Sequence, residues 1–428
     1  MQKIWWTVFT VLFSWGMVKG GESSESLEIT PNAFQGTDTQ RIRQAVEKAS
    51  RTTHIIRIPA ENANGSSVWM IDDAILLPSN IRVILDNCTL QLSDQSRDNM
   101  FRSDNVGDGI ENPGWNRDIH LVGMGRVILR GAANPRSTGD GARKLTLDPV
   151  ASQKKGIGRV SYGSDAAFPD RKQTGDWRNI MVLIAKVDGF SLTNVRIEHS
   201  HAWAVSFERT LNARISDIQI HNPEEIAIGN RKVKVYNKDG INLRQGCKYF
   251  RINNIDGING DDLVALSSLD VQPALTRVNG TLFSTMVTRS GWYGPEDDIE
   301  QVFITNCQTN YTGVAIRASD SASVHHVYVN GVITKARPDT PPPYGGSPYT
   351  LLVGGKGYGA PSQPGKINNI YAFNLMGDGK NLVLIEAPVE NCRFVNGIYT
   401  GIAPQPVTFN VPVTDTKGVS VENFMKMP

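Results

Sequence analysis

A short pattern recurs along the second half of this chain: an apolar residue, two others, an apolar residue, one other, then an apolar or small residue. It occurs as Leu192-Val195-Ile197, Ile215-Ile218-Ile220, Ile252-Ile255-Gly257 and Ile299-Val302-Ile304. It continues as Val324-Val327-Val329, Ile367-Ile370-Ala372 and Val389-Cys392-Phe394. The starts lie 23, 37, 47, 25, 43 and 22 residues apart. The short steps define a period of 22 to 25 residues; 47 reads as close to two periods, and 37 and 43 as periods lengthened by inserted loops. A unit this small cannot bury its apolar face alone, so the copies must stack on one another.

Asn often precedes the second apolar position, as at Asn194, Asn254, Asn369 and Asn391. Asn tolerates left-handed backbone, which suits a sharp corner between strands. A second strand-like track accompanies the first: Ala204 to Phe207, Gly240 to Leu243, Leu263 to Leu266, Gly313 to Ile316 and Leu382 to Ile385. Two Val- and Ile-rich segments per period, bounded by Gly, Asn or Asp, argue against helical repeats. The expected fold is all-β, a single-stranded right-handed parallel β-helix whose coils stack about 4.8 Å apart. Its open end needs a cap. Residues 38–50 place Ile42, Ala45, Val46 and Ala49 on one helical face, with Thr37 or Asp38 as N-cap, and His54 to Ile58 reads as the first strand.

Met1-Gln2-Lys3, a largely apolar run from Ile4 to Met17 and small residues at Val18 and Gly20 read as a secretory signal, too short for a membrane span. The expected organisation is a signal at 1–20 and one β-helix domain over 21–428, in a secreted or periplasmic monomer. The formal charge of +2 includes Lys3 and Lys19 of that segment, so removing it leaves zero, which excludes a global basic field for nucleic acid. Cys88, Cys247, Cys307 and Cys392 lack zinc spacing and read as small core residues. Residues 131–178, polar with many Arg and Lys, and 336–366, rich in Pro, Gly and Tyr, are long insertions suited to walling a substrate groove.

The chemistry is concentrated in Asn237-Lys238-Asp239-Gly240 and Gly260-Asp261-Asp262. Asp239 and Asp261 lie 22 residues apart, one coil, which predicts neighbouring rungs on one face. Three carboxylates so close cannot ionise independently, so repulsion and burial raise at least one pKa. Glycoside cleavage needs that division between a proton donor and a group that activates water or attacks carbon.

With both motifs in register inside this repeat, the chain resembles the pectin-lyase-like β-helix superfamily and, within it, glycoside hydrolase family 28, the polygalacturonases. The likeness includes Thr37 to Pro59, Ser79-Asn80-Ile81 and Ser200-His201-Ala202-Trp203. The resemblance implies an inverting hydrolase of a uronate-bearing, pectin-like polysaccharide, with no metal or organic cofactor. It implies Asp261 as general acid and Asp239 with Asp262 as holders of the water, acid and base about 6.5–9.5 Å apart. The family's Gly-His-Gly has no counterpart, since no His lies between His221 and His325, and its Arg-x-Lys is reduced to Arg317-Ala318-Ser319. Arg317 and Arg289 then remain as candidates for a substrate carboxylate, with Asn237, His201 and Trp203 as further substrate contacts. Two other readings are a lyase on the same fold, with the three Asp residues holding Ca²⁺ and Arg317 or Arg289 as base, and a non-catalytic glycan-binding β-helix.

Overall fold

The computed structural model describes residues 28–134, 176–223, 225–228, 231–234, 238–269, 276–278, 281–289, 291–335, 348–355 and 360–427. The signal-like segment, Asn237 and most of both long insertions lie outside these residues. The chain forms a right-handed parallel β-helix in which a sheet of sixteen strands and a sheet of ten run along one axis. Equivalent positions stack coil on coil. One interior column runs Leu192, Ile215, Ile252, Ile304, Val329, Ala372 and Phe394, all buried. The second track forms the ten-stranded sheet, in register Val205, Ile241, Val264, Val314, Leu351 and Val383.

One register differs from the sequence reading. Ile252 pairs with Ile304, not with Ile299, so the strand Ile299–Thr309 lies 52 residues after its neighbour Lys248–Ile258 in register. The interval is a single coil enlarged by insertion, including the antiparallel hairpin Thr276–Val278 and Thr281–Phe283. The slip of five residues has a structural cause. Each long strand bends twice, five residues apart, through left-handed backbone: Asn212 and Asp217, Tyr249 and Asn254, Gln301 and Asn306, Asn369 and Asn374, Asn391 and Asn396. The apolar pattern fits around either bend. Asn194 and Asn254 therefore line one column of bends, while Asn369 and Asn391 line the other. The 37-residue step does hold an insertion, the hairpin Glu225–Ile228 and Arg231–Lys234.

A helix, Asp38–Ser50, covers the first coil and buries Ile42, Ala45, Val46 and Ala49. Thr37 is its N-cap: Thr37 Oγ1 accepts the Gln40 amide at 3.3 Å and Gln40 Oε1 accepts the Thr37 amide at 2.9 Å. This reciprocal pair satisfies two otherwise orphaned N–H groups. Asp38 instead turns inward, accepting the Met70 amide at 2.8 Å. The strand Ile55–Ile58 follows, after His54 in left-handed backbone. The four cysteines are buried and free of disulfides.

Candidate active site

The register of the ten-stranded sheet decides which side chains share a level. Two residues before the aligned Val205, Ile241, Val264, Val314 and Leu351 stand Trp203, Asp239, Asp262, Thr312 and Tyr349. The coil step here is 23, so the rung partner of Asp239 is Asp262 rather than Asp261. Asp261 occupies the bend just before the strand Asp262–Ser268. Its backbone carbonyl accepts from Asn259 Nδ2 and from Thr312 Oγ1. Thr309 Oγ1 donates in turn to Asn259 Oδ1. Interior polar groups thus fix the bend from behind, and one oxygen from each of Asp239, Asp261 and Asp262 lies within 4.8 Å of the others.

That closeness corrects the expected acid–base gap. Side chains leaving adjacent rungs of a parallel sheet start about 4.8 Å apart. A gap of about 6.5–9.5 Å therefore needs side chains that splay apart; here Asp239 and Asp262 share a level, and the bend brings the Asp261 oxygen within 4.8 Å of both. Three oxygens at this spacing fit around one water or one sugar hydroxyl, whose hydrogen bonds to oxygen run about 2.7–2.8 Å.

The three carboxyls have unequal surroundings. Asp239 is only 5 % exposed, and Asn242 Nδ2 donates to its Oδ2 at 2.5 Å. Burial, reinforced by the negative charge of Asp262, pushes Asp239 up to about 7, against the opposing pull of Asn242 and Arg317. Asp262, 2 % exposed, is held on both oxygens: Arg317 Nη1 donates to Oδ2 at 2.6 Å and the Tyr349 hydroxyl donates to Oδ1 at 2.7 Å. Arg317 Nη2 also donates to Tyr349 Oη at 2.9 Å, closing a triangle. Burial and the neighbouring Asp262 charge drive the Tyr349 phenol well above its ordinary range. Asp261, half-buried, is the most accessible of the three.

The other candidate residues are distributed differently. Arg317 is turned inward on Asp262, a partner of the acid group rather than an outward-facing carboxylate receptor. Arg289 pairs with Asp297 at 2.7 Å and Glu296 at 3.4 Å and lies over the Tyr293 ring. His201 is buried, its Nε2 accepting the Ala132 amide at 3.0 Å, and burial pushes it down to about 3. It is a neutral packing residue rather than a substrate contact. Trp203 stands level with Asp239 but packs with Val106, Trp177, Ile180 and Leu183, with Arg244 over its ring at 5.1 Å.

Three features carried no readable sequence signal. Tyr349, within the second insertion, completes the Asp262 triangle. Lys238 is fully buried with Nζ donating to Pro223 O at 3.3 Å, and burial pushes it down to about 7. Glu208, also fully buried, accepts the Val287 and Thr288 amides and the Thr288 hydroxyl. Arg209 beside it pairs with Asp297 at 2.7 Å and donates to Gly291 O at 3.0 Å. Together they fasten the inserted segment 284–298 to the ten-stranded sheet.

As a metal centre the trio is poorly made. Asp262 Oδ2 already faces a guanidinium at 2.6 Å and its Oδ1 accepts from Tyr349, and a divalent cation held there would meet that positive charge at close range. A lyase base is not supplied by Arg317 or Arg289 either, since each is bound to carboxylates.

Residues 161–329, which include all three Asp residues and Arg317, match the model of glycosyl hydrolases family 28. No curated protein sequence matches the chain. Among solved structures, an endo-xylogalacturonan hydrolase from Aspergillus tubingensis is similar, with a TM-score of 0.52 at 12 % identity, covering 93 % of this chain and 92 % of that one. The family 28 exopolygalacturonase of Yersinia enterocolitica gives 0.50 at 10 % identity, covering 93 % and 78 %. A tailspike protein mutant of E. coli bacteriophage HK620, in complex with pentasaccharide, gives 0.52 at 12 % identity, covering 92 % and 65 %. At these identities the likeness is one of fold, the right-handed parallel β-helix.

Proposed function

We propose that this chain is a secreted, monomeric glycoside hydrolase that cleaves a uronate-bearing, pectin-like polysaccharide through Asp239, Asp261 and Asp262. The observation that carries the reading is the trio itself: one oxygen from each of three carboxyls within 4.8 Å of the others, with burial and the Asp262 charge pushing Asp239 up to about 7. Hydrolysis needs a proton for the leaving oxygen and a carboxylate for the attacking water. A trio that binds one proton near neutrality has both. That proton belongs to the coupled group rather than to one residue.

In the free protein burial favours the proton on Asp239. With substrate bound the shared proton passes to Asp261, the most accessible of the three, which donates it to the glycosidic oxygen; Asp239 and Asp262 grip the water, and Asp239 takes up the water's proton as its oxygen bonds to the anomeric carbon. Arg317 and Tyr349 hold Asp262 against rotation. The substrate carboxylate is not met by a free Arg317, so uronate recognition rests on other groups lining the groove.

The reading is tested by offering defined uronate-containing and neutral glycans and following the products by NMR. The expected result is hydrolysis of a uronate-bearing glycan with inverted anomeric configuration, because the closely spaced oxygens hold a water that attacks the anomeric carbon directly and no carboxylate bonds to that carbon. Retained configuration would refute the water-holding roles, and an unsaturated product lost on chelation would replace hydrolysis by calcium-assisted elimination.

A further inference from the structure

A concavity lies on the sixteen-stranded sheet, away from the ten-stranded sheet beside which the acid trio stands. The register aligns Arg214, Arg251, Phe303 and Tyr328 on four successive coils. With Tyr249 beside them, the two arginines and Phe303 line a cavity of about 280 Å³. Arg214, Tyr249, Arg251 and Phe303 are all exposed. The Arg251 guanidinium lies 5.5 Å from the Phe303 ring centre, and the Phe303 and Tyr328 rings are 5.9 Å apart. Neither Arg214 nor Arg251 forms an ion pair among the described residues, unlike Arg209, Arg289 and Arg317.

The solenoid core does not need these rings. The interior is filled by the next residues in each strand, Ile215, Ile252, Ile304 and Val329, so the exposed aromatic row adds unfavourable apolar surface. Two aromatic faces beside two guanidinia without an ion pair among the described residues do match one ligand class. A pyranose ring presents an apolar face that stacks on an aromatic ring, and a uronate adds a carboxylate that a guanidinium grips in a planar fork. A neutral glycan would leave both cations unused, and a hydrophobic peptide would have to desolvate them.

We propose that this concavity is a non-catalytic binding site for a uronate-bearing glycan segment, separate from the three Asp residues. Asp239 lies just before Ile241–Leu243 of the ten-stranded sheet, and Arg251 in Lys248–Ile258 of the sixteen-stranded sheet, the next strand along the same coil. A glycan tethered on one face therefore keeps neighbouring chains of the same polymer close to the trio. The glycan class is shared with the proposed function; the site itself does not depend on turnover.

The test is titration calorimetry of the full chain with a long oligogalacturonate and with a neutral galacto-oligosaccharide of equal length, at low and high salt. Asp261→Asn is the background, so that the probe is not consumed. The expected result is acid-selective, salt-sensitive binding at two sites per chain, with the second site weakened about tenfold in Arg214→Gln/Arg251→Gln, as loss of two partly screened charge contacts implies. Phe303→Ala should weaken it too, whereas Phe303→Tyr should retain it. In the chain with its three Asp residues intact, the double Arg variant should cleave a short oligomer at the unaltered rate.

Unchanged affinity in both the Arg and Phe303→Ala variants, or equal binding of the neutral glycan, would overturn the proposal. Absence of hydrolysis with second-site binding intact would instead remove the proposed activity and leave this site standing.

Discussion

Replacing Asp239 by Asn isolates the physical effect on which the proposed chemistry rests. A carboxyl that ionises at about 7 in the folded chain, against 3.8 for its ordinary value, binds its proton more tightly folded than unfolded. Between those two values the folded state holds more protons, so stability falls as pH rises and levels off above about 7. The full cost of that ionisation is about 4 kcal/mol, from about 1.4 kcal/mol for each pH unit between the two values. Some of it is already present at pH 5, leaving about 2–3 kcal/mol to accrue between pH 5 and pH 8. Asn has nearly the same shape, retains a carbonyl for Asn242 and never ionises. The measurement is denaturant unfolding of the wild type and Asp239→Asn at pH 5 and pH 8. The variant's advantage should grow by about 2–3 kcal/mol over that range. An advantage of equal size at both pH values, or a variant less stable at pH 8, would show that Asp239 is not a strained buried acid and would remove the basis for a proton held in the trio.

The same titration fixes a sign for catalysis: glycan cleavage should decline as pH rises through about 7, when the trio loses its proton, and a rate that climbs above that pH would refute the shared-proton account. Arg317→Gln should destabilise the fold by about 3–5 kcal/mol, because it strands a buried carboxylate, and Asp262→Asn/Arg317→Gln should recover part of that loss in the same unfolding assay. Tyr349→Phe removes one hydrogen bond to Asp262 and should cost about 1–3 kcal/mol, also read by unfolding. Glu208→Gln leaves the amides of Val287 and Thr288 without their carboxylate; hydrogen exchange at those two amides should accelerate while the distant strand Ile367–Gly377 exchanges as before.

The parts of the molecule legible in the sequence are those fixed by local pattern. Columns such as Leu192, Ile215 and Ile252 announce themselves because each coil must repeat its apolar spacing to stack. The cap is legible in Thr37 and Gln40 because a capping box is a matter of three residues. Asp239 and the Asp261-Asp262 pair are legible because one coil separates them. What was obscured follows from the same architecture. Two left-handed bends per long strand accept the same apolar pattern at two offsets, so the sequence pattern alone sets the strand Ile299–Thr309 five residues from its register in the fold. Arg317 looked like an open cation because its inward turn depends on Tyr349, 32 residues further along. The burial of Lys238 and of His201 depends on packing between coils that no single segment encodes. The short gap between the carboxyls has a simpler cause: rung spacing sets the distance from Asp239 to Asp262, and the bend at Asp261 holds its carboxyl beside both.

The most direct measurement is release of new reducing ends from a uronate-bearing polysaccharide by the wild type and by Asp261→Asn, at matched concentration and with folding verified by circular dichroism. Loss of a positioned proton donor lowers the rate by a factor of about 10²–10⁴, so near-complete loss of cleavage with substrate binding retained is the predicted result. Cleavage by Asp261→Asn at the wild-type rate would contradict the claim that these three carboxyls perform the reaction.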